Sequence, residues 1–140
     1  MPTLAGHYLI SFDFGLRHIG VAVGQTVTTS ARGIGTLAAR NGKPDWHVLK
    51  RLISGYPATL AIVGLPLNMD GTTSPMSQRA SAFAKALTAR CHLTVELHDE
   101  RLTSKAARDE FEEAKSLGIA ATEHELAACL ILKSWLEEQA

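Results

Sequence analysis

The sequence predicts an α/β fold, a five-stranded mixed sheet with helices on both faces, and two observations carry that expectation. The first is the order of elements: three strands in a meander, then helix, strand, helix, strand, helix, helix. The second is a change of hydrophobic period. Strict alternation over residues 18–24 gives way to apolar residues spaced three and four apart from Ala80 onward. With 140 residues the chain is expected to form one domain over residues 1–140, long enough for a real core and too short for two.

The elements follow in order. His7 to Phe14 (HYLISFDF) is rich in β-formers and apolar on both faces, as a central strand must be. Gly15 breaks it. His18 to Gly24 then alternates, with Ile19, Val21 and Val23 on one face and Gly20, Ala22 and Gly24 on the other. The short connection predicts an antiparallel hairpin, and Thr28 to Ala38 supplies a third strand. Asp45 caps a helix through Trp46, Leu49, Leu52 and Ile53. Thr59 to Val63 is a buried strand, followed by a loop dense in turn formers, GLPLNMDGTTSP. Ala80, Phe83, Ala84, Leu87 and Cys91 set the phase of a second helix. His92 to His98 reads as the last strand and ends in Asp99 and Glu100. Thr103 or Ser104 opens a third helix that Gly118 closes, and a fourth runs from Glu123 to Glu138.

Composition narrows the function. Apolar residues make up 46% of the chain and charged residues 20%, a soluble profile. No apolar run approaches a membrane span and the N-terminus lacks a signal-peptide layout, so a cytoplasmic location is expected. Cys91 and Cys129 lie inside apolar patterns and are expected to be buried free thiols. Fourteen basic and fourteen acidic residues cancel. A nucleic-acid partner would therefore need a local basic patch, because phosphate neutralisation supplies much of such affinity.

In open α/β sheets, function collects beyond the carboxyl ends of the strands. Asp13 and Glu100 both lie there. Two readings are open: such acids pair with a nearby arginine, Arg17 or Arg101 being close in sequence, or they hold a hard divalent cation. A pair of such ions can clamp a phosphodiester during in-line attack.

The motifs add a family. FDFGLRHIGVAVGQ resembles the first-strand signature of the YqgF/RuvX family, in which an Asp-x-Gly opens the active site. IVGLPLNMDGTTSPMSQRASAFAKAL is similar to its central loop and helix, LHDERLTSKAAR to its Asp-Glu-Arg-x-Thr segment, and ACLILKSWLE to the tail of its final helix. The resemblance covers almost the whole chain, in order. It implies an RNase H-like fold related to the RuvC resolvases. It also implies a nuclease using Mg²⁺ or Mn²⁺ on structured nucleic acid, cutting Holliday junctions in branched DNA or trimming the 5′ end of precursor 16S rRNA. Asp13 and Glu100 would be its catalytic metal ligands. Arg17, Asn68, Arg79 and Arg101 are the expected substrate contacts. The protein would act as a monomer or homodimer; junction cutting would favour the dimer.

One position departs from the pattern. The family's third catalytic residue is an Asp at the start of the last helix, and here that position is His124. A neutral imidazole gives one ligand nitrogen, cannot bridge two ions and suits Mg²⁺ poorly. His124 shares a helical face with Ala128, Ile131 and Trp135, so it is expected to point inward, either as a catalytic metal ligand or as a core-edge histidine. Thr122 and Glu125 form a capping-box pattern and Glu123 is expected on the solvent face. The preceding connection, KSLGIAATE, lacks the basic residues expected there from relatives. The loop from Gly64 to Gly71 either approaches a substrate backbone or is a tight connection. Asp99 and Asp70 are expected in turns, and His92 and His98 as structural strand residues.

Two rivals remain at this level. Asp13-Phe14-Gly15 before a hairpin is also similar to the phosphate loop of sugar kinases and actin-like ATPases, which need two such domains around a nucleotide. The other is a non-catalytic nucleic-acid or ribosome-associated module with a degraded site.

Overall fold

The computed structural model describes residues 8–27, 30–118 and 122–139, and the backbone alone at Thr59. His7 and Thr28, expected at the starts of two strands, lie outside the described residues, as do residues 119–121 of the connection before the last helix. The strands are β1 (Tyr8–Asp13), β2 (His18–Gln25), β3 (Ser30–Arg40), β4 (Lys43–Pro44), β5 (Ala58–Leu65) and β6 (Val95–Asp99). The helices are α1 (Trp46–Ile53), α2 (Pro75–Cys91), α3 (Lys105–Ser116) and α4 (Glu123–Glu138), with a 3₁₀ turn at Glu100–Leu102.

The sheet order is β4-β3-β2-β1-β5-β6. β1, β2, β3 and β4 pair antiparallel in succession, whereas β1–β5 and β5–β6 are parallel. The sheet thus has six strands rather than the five expected. The addition is β4, two residues joined to β3 by a turn in which Asn41 (φ 53°) and Gly42 (φ 80°) both have positive φ. An Asn-Gly pair is the preferred occupant of such a turn. A second correction concerns His92, which lies on no strand: it caps α2 in the left-handed conformation, φ 57°. The expected caps are present elsewhere. Asp45 accepts from the amides of His47 and Val48, and Ser104 accepts from Ala107. Gly118, at φ 62°, follows the end of α3.

Alternation along the central strands feeds two cores. Ile10 and Phe12 of β1, Ile19, Val21 and Val23 of β2 and Val63 of β5 meet Leu49 of α1 and Phe83 and Leu87 of α2. On the other face Leu9 and Ile62 meet Ile131, Leu132, Trp135 and Leu136 of α4. Helices therefore cover both faces, with α3 packed against α4. Cys91 and Cys129 are free thiols, half-buried rather than buried.

At several points beneath α4 the sheet carries only glycine. A Cβ at Gly20 would overlap the His124 carbonyl oxygen, one at Gly33 would lie 2.6 Å from the Glu125 Cβ, and one at Gly64 2.6 Å from the Ile131 Cδ1. The helix backbone rests directly on this floor. Ser11 reaches up from β1 and donates to the Ala128 carbonyl at 2.7 Å, a buried hydrogen bond that fixes the helix along the strand. At the far end His98, buried on β6, hydrogen-bonds Ser134 through Nε2 at 2.7 Å.

Gly20→Ala is accordingly expected to destabilise the protein by about 1–3 kcal/mol or to prevent folding, since backbone atoms must yield. Gly55→Ala, where nothing lies within 4 Å of the added methyl, should change stability by less than about 0.5 kcal/mol. Thermal or urea unfolding of the two variants against wild type checks this.

Candidate active site

Asp13 ends β1 and Glu100 begins the 3₁₀ turn after β6, so both stand at the carboxyl edge of the parallel strands. β5 runs between those strands, and its Gly64 makes their meeting possible: a Cβ there would lie 2.7 Å from the Glu100 Oε2. The Glu100 carboxylate therefore folds back over the end of β5 toward Asp13. The two acids line one cleft of about 350 Å³, walled by Thr103 after the 3₁₀ turn, by Arg108 and Phe111 of α3 and by Ala127 of α4.

Electrostatics separate these acids from ordinary surface carboxylates. Burial raises the Asp13 pKa to about 6. Glu100 is raised to about 7, first by burial and then by the charges of Asp13 and Asp99. Among the described residues neither forms an ion pair. Arg101, an expected partner, turns instead to Asp99: its Nε and Nη2 donate to both Asp99 oxygens at 2.8–3.2 Å. Asp99 also caps the 3₁₀ turn by accepting from the Arg101 amide at 2.9 Å, and this bonding holds its carboxyl below the usual range. Two desolvated, mutually repelling carboxylates form an oxygen-only donor set of the kind hard divalent cations take.

The other expected site residues are dispersed. His124 sits on the sheet side of α4, but its ring stacks on His18 at 4.7 Å between centroids and does not line the cleft. Among the described residues no group of three His, Cys, Asp or Glu side chains could hold a metal ion. Arg17 is exposed in the turn between β1 and β2. Asn68 is taken up within its own loop, donating to Thr72 Oγ1 and the Thr73 carbonyl, and Asp70 accepts from Thr72. Arg101 Nη1 donates to the Met69 carbonyl at 3.3 Å, which ties that loop to the strand end. Arg79 is exposed and donates to the Asn41 carbonyl at 3.4 Å, on the opposite face of the sheet. Glu125 receives the Thr122 hydroxyl at 3.3 Å while its amide donates to the same oxygen at 3.1 Å. Glu123 is exposed and pairs with Lys115.

Reading from the sequence missed Arg108 and Glu112, both on the cleft wall. The signal was present in the helical spacing of Arg108, Phe111 and Glu112, which places them on one face.

Comparison with known proteins adds the lineage. The family model described as "RuvX: Holliday junction resolvase" matches residues 7–138. A protein of Glaesserella parasuis named "Putative pre-16S rRNA nuclease" is 44% identical over 137 residues, covering 94% of this chain and 96% of the relative. One of Pseudomonas aeruginosa with the same name is 47% identical over 132 residues, covering 93% and 92%. The solved structure of Thermus thermophilus RuvC superposes with a TM-score of 0.61 at 14% identity, covering 94% of this chain and 95% of that one. At that identity the likeness is one of fold, the RNase H-like fold of the resolvases.

The two raised carboxyls set a pH dependence. Between about pH 4 and 7 the folded protein binds more protons than the unfolded chain, so these groups lower stability as pH rises through that window. Asp13→Asn removes one charge and relieves Glu100. In metal-free buffer it should leave stability near wild type at pH 4.5. At pH 8 it should raise stability by on the order of 1 kcal/mol, allowing for solvent screening of a half-buried group. The difference between the two unfolding curves across pH is the measurement.

Proposed function

The chain belongs to the RuvX family, and from that membership we propose that it is a metal-dependent nuclease acting on structured nucleic acid, with the 5′ end of precursor 16S rRNA as its substrate. The observation that carries the proposal is the pair of desolvated carboxylates, Asp13 and Glu100, which share a cleft and among the described residues form no ion pair. The names borne by relatives 44–47% identical favour the rRNA substrate, and the family description keeps the four-way DNA junction as the comparison.

Asp13 and Glu100 would hold Mg²⁺ or Mn²⁺, which when bound activates water and offsets charge on the phosphoryl oxygens. The protein's own groups do the rest. Gly64 lets the Glu100 carboxylate reach the strand ends. The Asp99–Arg101 pair fixes the turn from which Glu100 projects. Arg108, on the facing wall, donates one N–H to the Thr103 carbonyl at 3.1 Å and offers the remainder of its guanidinium to a phosphate. His124 occupies the helical position of the family's third carboxylate, and to act as a ligand its ring must leave the stack on His18.

That stacking also favours a second reading, a nucleic-acid or ribosome-associated binding module without catalysis. Cleavage assays on a 5′-extended 16S precursor and a four-way junction separate the two. Cleavage should require Mg²⁺ or Mn²⁺ and fall by about 100-fold or more in both Asp13→Asn and Glu100→Gln, with the fold intact. Binding without cleavage in either metal would establish the module instead.

His124→Asp supplies an oxygen donor at the third position. It should raise activity with Mg²⁺ relative to Mn²⁺, because imidazole favours the softer ion. Titration of both metals against wild type and variant is the check, and an unmoved preference would exclude His124 from the site.

A further inference from the structure

A second concave surface lies on the opposite face of the sheet, a groove of about 310 Å³ between the β3–β4 turn and α2. Three of its lining residues, Lys43, Arg79 and Arg90, are basic, and among the described residues no acidic side chain lines it. In a chain whose charges cancel overall, this is a local concentration of one sign. Asp45, next to the groove in sequence, has its carboxylate engaged by the His47 and Val48 amides.

The groove wall between the cations is aromatic. Trp46 stacks on Phe83 at 5.8 Å, and Phe14 lies 5.3 Å from the same ring. The Arg90 guanidinium sits over the Trp46 ring, 5.2 Å from its centroid, so its charge is held in place at the groove rim. Lys43, Arg79 and Arg90 are all exposed. The floor is kept open by Gly42, where a Cβ would stand 2.7 Å from the Phe14 Cζ.

Cations at the rim and an aromatic wall are the combination that tracks a single nucleic-acid strand: phosphates meet the charges while bases pack against the half-exposed Phe14 and Trp46 and the exposed Arg90 guanidinium. The groove and the cleft also meet at one strand end: Asp13, the last residue of β1, lines the cleft, and Phe14, the next residue, lines the groove. We infer that this groove binds a single-stranded segment of nucleic acid flanking the site of cleavage, with Lys43, Arg79 and Arg90 as its phosphate contacts. The inference rests on the reading of the chain as a nuclease only in supposing that the strand continues into the cleft. Binding itself does not require cleavage.

The test uses fluorescein-labelled 12-nucleotide oligouridine and oligothymidine with the full-length protein, without divalent metal. Lys43→Gln/Arg90→Gln should weaken binding by about tenfold at low salt and reduce the slope of log affinity against log salt by about 1.4, two single-strand phosphate contacts. The Trp135→Phe variant leaves Trp46 as the remaining tryptophan, and its fluorescence should be quenched by the same oligonucleotides. A short cleavable substrate lacking the flank should be cut equally by wild type and the double variant. Unchanged affinity and salt slope for both polymers in a folded double variant would overturn the inference. So would a Trp46 signal that saturating oligonucleotide leaves unaltered. Absence of cleavage with the binding results intact would reject the nuclease reading and leave the groove standing.

Discussion

Helix α4 seats closely on the sheet because glycines stand beneath it at three points of contact. Gly20, Gly33 and Gly64 remove the Cβ atoms that would hold it away, and Ser11 adds a single hydrogen bond where a larger residue would be a wedge. Much else follows from that close seating. Ala127 is brought to the cleft wall, α3 packs on the helix's outer side, and the Glu100 carboxylate occupies space that a side chain on β5 would fill. Close packing makes such an arrangement intolerant of added volume.

The charge arrangement depends on the same geometry. Asp99 and Glu100 are neighbours in sequence with opposite fates. Asp99 receives a bidentate arginine, whereas Glu100 turns inward beside Asp13 and is pushed up by burial and repulsion. By engaging Arg101, Asp99 keeps that guanidinium from pairing with Glu100. One acid is neutralised so that its neighbour is not.

Much of this could be read from the residues. The split of β2 into Ile19, Val21, Val23 against Gly20, Ala22, Gly24 separates the two faces of the strand, and Asp45 and the Thr103–Ser104 pair mark helix starts through capping chemistry, with Ser104 the cap. What escaped depends on partners distant in sequence. Arg101 had two adjacent acids to choose from, and only backbone placement at the strand end decided between them. The His18–His124 stack joins a strand and a helix from opposite ends of the chain, and helical phase gives a direction without a neighbour. β4 was signalled by Asn41-Gly42, yet two residues lie below the length at which alternation carries information. His92 follows α2 with no glycine to mark the left-handed cap. The basic groove was hidden by a net charge of zero, an average that erases local asymmetry.

The pairing of β1 has a consequence for how the protein comes into being. Its antiparallel contact with β2 is local, and its parallel contact with β5 closes a long loop, as β6 does in turn. Non-local parallel pairing is the slow part of folding such a sheet. Asp13 therefore emerges from the ribosome well before Glu100 arrives to face it. A chain in which β5 and β6 have not yet joined β1 lacks the juxtaposed carboxylates, so whatever chemistry the cleft performs is withheld until the tertiary structure is complete.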